Sequence, residues 1–278
     1  MAMKISKKLF IISVLLALVT ITCTRSPDKT NYGNNVKAGK YVMIRGFKTY
    51  YETYGTGMPM LLIHGNGGSI ASFKYQIPYF SKEYHVIAVD SRSQGRSIDD
   101  NDSLSFEMMA DDLNSLLDTL HVDSCYVLGW SDGGINGLLL AIRHPEKLKK
   151  LAVTGANLWP DSTAIEPAVV SGDMKEYNLL KDKPMTPSGK HDFKLFRLDC
   201  LEPHITTGQL NRISCTVLVI GGDHDVIRPA HTMLIAQSIP ESYLWIVPNS
   251  GHGTLIEHKD LFNATVSEFF KKPYHRRL

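Results

Sequence analysis

Residues 125–144, CYVLGWSDGGINGLLLAIRH, constrain the fold of this chain more than any other stretch. Residues 125–128 form a short apolar run rich in β-formers, and residues 135–142 form a longer apolar run, so the sequence predicts a strand, an abrupt turn and a helix. Ser131 stands at the turn, inside a G-x-S-x-G pentapeptide. In this setting the pentapeptide predicts a nucleophile elbow, in which strained backbone projects the serine hydroxyl from the edge of a sheet.

Strands and helices alternate along most of the remaining chain. Apolar runs predict a hairpin over residues 41–54 and strands over 60–63, 86–89, 148–153, 216–220 and 243–247. Helical length or spacing predicts helices over residues 69–80, 104–120, 229–239 and 260–270. This alternation predicts a mainly parallel sheet with helices on both faces.

The alternation breaks over residues 160–212, where apolar positions scatter among charges and prolines. A structureless loop of that length is uncommon, so we predict a small helical cap over the site. The core is then predicted over residues 41–159 and 213–278, with residues 24–40 as a polar tether. A chain of 278 residues is long enough to bury one large core of this kind.

The first residues have the pattern of an export signal. Lys4, Lys7 and Lys8 precede an apolar run over residues 9–22 that is short for a bilayer span, so residues 1–23 are predicted to be a signal peptide. Cys23, at the end of this segment, resembles the acylated cysteine of bacterial lipoproteins, which would attach the protein to a membrane. The alternative is cleavage near Cys23 that releases a soluble protein. Both alternatives predict an exported protein of the bacterial periplasm or cell envelope.

Composition excludes several classes of function. The formal net charge is +2, but without the three lysines of the predicted signal it becomes 27 basic against 28 acidic residues, or −1. No basic run with interleaved aromatic residues is present, so the sequence argues against nucleic-acid binding. The four cysteines lack the spacing of a metal site, and we expect neither a metal ion nor another cofactor.

Ser131 needs a base and a group that orients this base, because a serine hydroxyl is a poor nucleophile at neutral pH. In this architecture the partners follow in the order Asp then His, in loops after late strands. His252, between two glycines after the last predicted strand, is the predicted general base. Asp223 and Asp225 are both candidates for the acid. We choose Asp225 because its G-x-x-D spacing matches similar hydrolases, and we expect Asp223 to be a turn residue.

The oxyanion formed by attack on a carbonyl must also be stabilised. The predicted donors are the backbone N–H of Asp132, which follows the nucleophile, and that of Asn66, in the glycine-rich loop after an early strand. His64 precedes this loop and is expected to be a packed structural histidine. Asp90 and Arg92 are expected to be turn and ion-pair residues.

The order of these motifs over residues 41–272 resembles the α/β-hydrolase superfamily. The matching segments are His64-Gly65-Asn66-Gly67, the turn 90–97, Gly129–Gly133, Gly222–Asp225 and Ser250-Gly251-His252. The resemblance implies the α/β-hydrolase fold, a mainly parallel eight-stranded sheet with helices on both faces and a small helical cap. More narrowly, GWSDGG followed by a strand ending in GAN resembles the valacyclovir hydrolase group, also called biphenyl hydrolase-like proteins.

That narrower resemblance implies a serine esterase that favours α-amino acid esters, with Asp132 receiving the substrate ammonium. A carboxylate beside an enclosed ester site would attract a cation strongly. The alternative is that Asp132 only stabilises the start of its helix. Trp130 and Trp159 are the other predicted substrate-binding residues.

The sequence thus predicts a serine hydrolase that cleaves small carboxylic esters through an acyl-enzyme on Ser131. Carbon–carbon bond hydrolases, prolyl aminopeptidases and perhydrolases share the same triad and remain open as alternatives. The non-enzymatic alternative is a ligand-binding lipoprotein on a hydrolase scaffold. The oligomeric state is left open.

Overall fold

A mainly parallel sheet of eight strands forms the centre of the protein, in the computed structural model that describes residues 30–275. Its strand order is β1-β2-β4-β3-β5-β6-β7-β8. The strands are β1 Gly39–Ile44, β2 Phe47–Tyr54, β3 Met58–Ile63, β4 Tyr84–Val89, β5 Cys125–Trp130, β6 Leu148–Thr154, β7 Thr216–Gly222 and β8 Ser242–Val247. Only the β1–β2 and β2–β4 pairs among these strands are antiparallel. The predicted sheet is therefore confirmed.

Helices cover both faces of this sheet. They are α1 Ile77–Phe80, α2 Phe106–Thr119, α3 Asp132–Arg143, α4 Pro167–Leu180, α5 Pro187–Leu201, α6 Thr207–Leu210, α7 Pro229–Ser238, α8 Thr254–Glu257 and α9 Lys259–Lys271. Helices α2, α3 and α7 bury apolar residues on one face, and α1, α8 and α9 do so on the other. Helices cover the central strands on both sides. The sequence of a central strand such as β3 is therefore a continuous apolar run and not an alternation of apolar and polar residues.

The helical segment predicted over residues 69–80 is present as two short pieces and not as one continuous helix. The segment consists of a 3₁₀ turn, Ile70–Phe73, followed by the single turn α1. Pro78 has no N–H, and its ring would clash with the carbonyl of residue 74 in a continuous helix. Proline is tolerated in the first turn of a helix, which is where α1 places Pro78.

Residues 160–212, which we call the cap segment, contain the helices α4 and α5. Helix α5 buries Leu195, Leu198 and Cys200. None of the residues of α4 is fully buried, and α4 packs on α5, where the ring of Tyr177 stacks on that of Phe193 at 5.8 Å. Helix α5 therefore makes the contact with the core, and α4 lies outside it.

The start of the chain is described only from residue 30, so the predicted signal peptide and Cys23 lie outside the described residues. Of the predicted tether, residues 31–40 pack on the body of the protein. The backbone N–H groups of Gly33 and Asn35 donate to the carboxylate of Glu52 on β2, at 2.9 and 2.8 Å. The packed core thus begins before residue 41. From residue 30 to residue 275, no helix has the length and apolar character that a membrane span requires.

Candidate active site

Ser131 occupies the sharp turn between β5 and α3. Its backbone has φ 56° and ψ −121°, a strained conformation for a residue with a side chain. The backbone N–H of Ser131 donates to the carbonyl of Thr154 on β6 at 2.9 Å. A Cβ at Gly133 would collide with the carbonyl of Ile63, and one at Gly129 would collide with the carbonyl of Gly133. The glycines of the pentapeptide therefore allow the close approach of strand and helix that presents the hydroxyl.

A continuous chain of hydrogen bonds joins Ser131, His252 and Asp225. The Nε2 atom of His252 lies 2.9 Å from the Oγ of Ser131, and Nδ1 lies 2.7 Å from the Oδ1 of Asp225. The Asp225 side chain is fully buried, and its Oδ1 also accepts the backbone N–H of Ile227 at 3.0 Å. Because an ionised carboxylate only accepts, Nδ1 carries the imidazole hydrogen and Nε2 presents its lone pair to the serine hydroxyl.

Asp223, the other candidate acid, has a different position. Its Oδ1 accepts the backbone N–H of Ser250 at 3.0 Å and contacts the exposed ring of His224 at 2.8 Å. The N–H groups of Ser250 and Asn249 lower the pKa of the Asp223 carboxyl well below its usual range. This carboxylate therefore closes the turn ahead of the His252 loop, and Asp225 is the residue that meets the imidazole.

The loop after β3 passes close to Ser131. A Cβ at Gly65 would lie 2.9 Å from the Cβ of Ser131, and Asn66 is the next residue. Asp132 is the first residue of α3, so its N–H has no acceptor within the helix. The two predicted oxyanion donors thus belong to segments that border the nucleophile.

His64 fixes the shape of this loop. Its buried ring accepts the N–H of Ser91 at Nε2, at 3.0 Å, so Nδ1 donates to the carbonyl of Gly65, at 2.7 Å. Burial lowers the pKa of His64 to about 4, which keeps the ring neutral. This is the structural role expected from the sequence.

Two carboxyl groups meet beside the elbow. Asp132 is 3% exposed, and the side-chain amide of Asn66 lies 3.0 Å from both the Oδ2 of Asp132 and the Oδ1 of Asp199. The Asn66 amide thus bridges the two carboxyl groups. Burial and the charge of Asp199 raise the pKa of Asp132 well above its usual range, and burial raises that of Asp199 to about 6.

Asp199 is the residue of this site that the sequence did not reveal. It lies on α5, one turn after Leu195, so the two residues share a helix face. The carbonyl of Leu195 accepts from the same Asn66 amide at 3.2 Å. The apolar spacing of Leu195 and Leu198 could have predicted a buried face of α5, but nothing in the sequence directs this face to Asp132.

The two predicted substrate-binding tryptophans both have partners within the protein. The indole N–H of Trp130 donates to the carbonyl of His252 at 2.9 Å. That of Trp159 donates to the Oγ1 of Thr163 at 2.7 Å, and its ring meets His231 edge-on at 4.8 Å. The polar edge of Trp130 therefore supports the His252 loop, and substrate binding by the two rings stays a prediction.

Glu257 also supports this loop, a role that no sequence motif predicted. Its Oε2 accepts the backbone N–H of Gly251 at 2.8 Å and the hydroxyl of Ser250 at 3.2 Å.

Within residues 30–275, no group of three or more His, Cys, Asp and Glu side chains is arranged to hold a metal ion.

Comparison with known proteins shows which proteins this chain resembles. The family model of the alpha/beta hydrolase fold matches residues 58–182. The human serine hydrolase BPHL is 28% identical over 89% of this chain and 91% of its own length. The chain has the α/β-hydrolase fold and is similar to members of that superfamily. Its expected resemblance to the biphenyl hydrolase-like group is confirmed by this match.

Two further comparisons place this α/β hydrolase among enzymes. The pimeloyl-[acyl-carrier protein] methyl ester esterase of Legionella pneumophila strain Corby is 29% identical over 80% of this hydrolase and 99% of the esterase. A solved meta-cleavage product hydrolase from Pseudomonas fluorescens IP01 has a TM-score of 0.70 and 25% identity, covering 85% of this chain and 98% of its own. The protein is an enzyme of the hydrolase type.

Proposed function

We propose that this α/β hydrolase is a serine hydrolase that cleaves small carboxylic esters through an acyl-enzyme on Ser131. The observation that carries the proposal is the hydrogen-bond chain from Ser131 through His252 to Asp225. Similarity to a relative named a serine hydrolase and to one named a methyl ester esterase supports it.

In the first half of the proposed reaction, the Oγ of Ser131 attacks the ester carbonyl carbon while Nε2 of His252 takes the hydroxyl proton. The tetrahedral intermediate collapses as the imidazolium returns this proton to the leaving alkoxide, which departs as an alcohol. In the second half, water attacks the acyl-enzyme and gives its proton to Nε2. The carboxylic acid is released when the proton passes back to Oγ. Asp225 holds the ring and stabilises the imidazolium throughout.

The negative charge of both tetrahedral intermediates needs donors that are already in place. We assign the backbone N–H groups of Asn66 and Asp132 to this task, because their segments border Ser131. Losing one such donor typically lowers kcat by ~10²–10³-fold.

Asp132 supports a narrower proposal, that the preferred substrates are α-amino acid esters. Its carboxyl group belongs to the residue next to the nucleophile, and Asp199 adds a second acidic group there. A substrate ammonium beside these groups would be attracted strongly, because both are largely removed from water. Asp132 also lies at the start of α3, where negative charge stabilises a helix, so its presence alone does not require an ammonium ligand.

Carbon–carbon bond hydrolysis is the second candidate, and similarity to the meta-cleavage product hydrolase favours it. It uses the same nucleophile with a different leaving group.

The first experiment compares Ser131→Ala with Ser124→Ala. The two serines flank opposite ends of β5, so the second substitution controls for effects on the strand. We expect Ser131→Ala to abolish p-nitrophenyl acetate turnover and labelling by a fluorophosphonate probe, with an unchanged circular dichroism spectrum. Ser124→Ala should keep both activities. Undiminished turnover in Ser131→Ala would exclude the acyl-enzyme, and absent labelling of the parent protein would favour a binding protein.

The second experiment tests the substrate class. An α-amino acid ester should be cleaved with a kcat/KM at least tenfold above that of its N-acetylated analogue, and Asp132→Asn should reduce this preference while retaining turnover of the acetylated ester. Equal kcat/KM values for the two esters in the parent protein would contradict ammonium recognition. A parallel assay with a dienoic ketone acid measures carbon–carbon cleavage directly.

We also propose that the protein is exported and anchored to a membrane through a lipid on Cys23. The proposal rests on the basic and apolar pattern of residues 1–23, which lie outside the described residues. Metabolic labelling with a radioactive fatty acid in a bacterial host tests it. Label in the parent protein that is absent from Cys23→Ser is the expected result, and an unlabelled, secreted parent protein would leave only the signal peptide.

A further inference from the structure

The side-chain amide of Asn66 joins three parts of the molecule beside Ser131. Its Nδ2 atom lies 3.0 Å from Oδ2 of Asp132, at the start of α3. The same atom lies 3.2 Å from the carbonyl oxygen of Leu195 and 3.0 Å from Oδ1 of Asp199, both on α5. One side chain from the loop after β3 therefore contacts both the nucleophile elbow and the cap segment.

The hydrogen bond to Asp132 joins the two residues whose backbone N–H groups form the proposed oxyanion hole. An amide nitrogen carries two hydrogens, and three acceptors surround the nitrogen of Asn66. The acceptors therefore share these hydrogens, and none of them fixes the side chain alone. The elbow and α5 hold Asn66 jointly.

The turn that contains Asn66 does not use its backbone N–H. Residues 65–68 form a turn in which the N–H of Gly68 donates to the carbonyl of Gly65 at 3.1 Å. Nδ1 of His64 donates to the same carbonyl at 2.7 Å. Asn66 is the second residue of this turn, and its N–H lies outside the hydrogen bond that closes the turn. The core thus fixes the Gly65 carbonyl, and the contacts of the Asn66 side chain fix the next residue.

We propose that Asp199 is a positioning residue for the oxyanion hole: through the Asn66 side chain, α5 holds the Asn66 N–H in the orientation in which it donates to the oxyanion. The inference rests on the proposed acyl-enzyme reaction and adds to it a role for the cap segment. Helix α5 then does more than cover the site, because it helps to arrange a donor that acts in the transition state.

Such a role predicts an effect on kcat and not on KM. The oxyanion is present in the tetrahedral intermediates and absent from the bound ester, so a misdirected donor lowers kcat and kcat/KM together. Complete loss of one donor typically lowers kcat by ~10²–10³-fold, and a change in its direction should cost less. If α5 only lined the substrate pocket, its substitutions would change KM instead.

The test is a double-substitution cycle with Asn66→Ala and Asp199→Ala, measured on p-nitrophenyl acetate. This ester carries no charge, so recognition of an ammonium group plays no part. Asn66→Ala keeps the backbone N–H but loses all contacts of the amide, and we expect it to lower kcat by ~10-fold or more. Asp199→Ala should lower kcat by about three- to tenfold, the size of one hydrogen bond, since the acceptors on Asp132 and Leu195 remain. The doubly substituted protein should be no slower than Asn66→Ala.

Two further variants separate positioning from charge. Asp199→Asn keeps a side-chain oxygen that accepts from the Asn66 amide, so it should recover most of the kcat lost in Asp199→Ala. Asp192→Ala removes the same charge from an exposed position seven residues earlier on α5, and should match the parent protein. Equal losses in Asp199→Asn and Asp199→Ala would overturn the proposal, because they would indicate an effect of the Asp199 charge on His252.

Losses that multiply in the doubly substituted protein would also overturn the proposal, since Asp199 would then act independently of Asn66. If Asn66→Ala does not fold, as judged by circular dichroism, the comparison of Asp199→Ala with Asp199→Asn decides alone. Failure of the proposed reaction has a different signature. A parent protein without turnover or fluorophosphonate labelling would overturn both proposals, whereas an active parent matched by Asp199→Ala would overturn only the positioning role.

Discussion

Gly155 lies against the ring of His252. A Cβ at position 155 would come within 2.7 Å of Cε1 and 2.9 Å of Nδ1 of this imidazole, closer than packed atoms approach. Gly155 follows β6 and has φ +66°, a backbone conformation that favours glycine. The residue after β6 therefore sets the space in which the ring faces both Asp225 and Ser131.

We expect Gly155→Ala to displace the His252 ring and lower kcat by about 10²-fold, since small misplacements of a reacting group have effects of this size. Steady-state kinetics on p-nitrophenyl acetate checks the value. Gly46→Ala is the matched control, because Gly46 has φ +90° but no atom near its added methyl. It should share the backbone strain and keep the activity. Equal kcat values in the two variants would exclude a positional effect on His252.

Asp225→Asn should lower kcat by roughly 10⁴-fold with little change in stability. The amide no longer stabilises the imidazolium and permits the wrong tautomer, and the same substitution has an effect of that size in a protease with a Ser-His-Asp triad. Asp223→Asn retains an acceptor for the Ser250 N–H and should stay within a few-fold of the parent kcat. The opposite order of activities would assign the acid to Asp223.

The substitution Trp130→Phe tests whether Trp130 supports the His252 loop or binds the substrate. The substitution keeps a ring but removes the N–H that donates to the carbonyl of His252. We expect kcat to fall by about three- to tenfold, in line with loss of one hydrogen bond worth ~1 kcal/mol, while KM stays within twofold. A raised KM at unchanged kcat would instead indicate contact with substrate.

Protonation of His231 should lower the free energy of unfolding in mild acid. Its buried Nε2 accepts the N–H of Leu158 at 3.0 Å, and burial lowers its pKa to about 4. The unfolded chain, with a histidine pKa of ~6.5, then binds more protons than the folded one between these values. The stabilisation that neutral His231 contributes to the free energy of unfolding is fully present above pH 6.5 and is lost as the pH falls towards 4.

Urea unfolding at several pH values measures this effect. His231→Gln keeps an acceptor for Leu158 without a titrating group, so its stability should fall less steeply with acid. The difference in slope is expected to approach ~1.4 kcal/mol per pH unit and to total about 2–3 kcal/mol. Parallel curves for the two proteins would contradict the prediction.

Local sequence patterns predicted most of the fold. The turn at Ser131 was readable because strand, glycines and helix are adjacent in sequence, and backbone sterics leave few ways to connect them. The segment 69–80 forms two short helical pieces, because Pro78 cannot lie inside a continuous helix. The sequence predicted the cap segment only because it interrupts the alternation of strands and helices. Its helices α4 and α5 have weak apolar periodicity.

By itself, the sequence determined the order of strands and helices, the strained turn at Ser131 and the loops that carry Asp225 and His252. Each of these depends on contacts between near neighbours in the chain. Only the tertiary structure decided that Gly155 borders the imidazole, that Trp130 supports its loop and that Asn66 bridges Asp132 and Asp199. These contacts join segments far apart in sequence, and their geometry arises from how the sheet twists and how α5 packs on it, which no local pattern encodes.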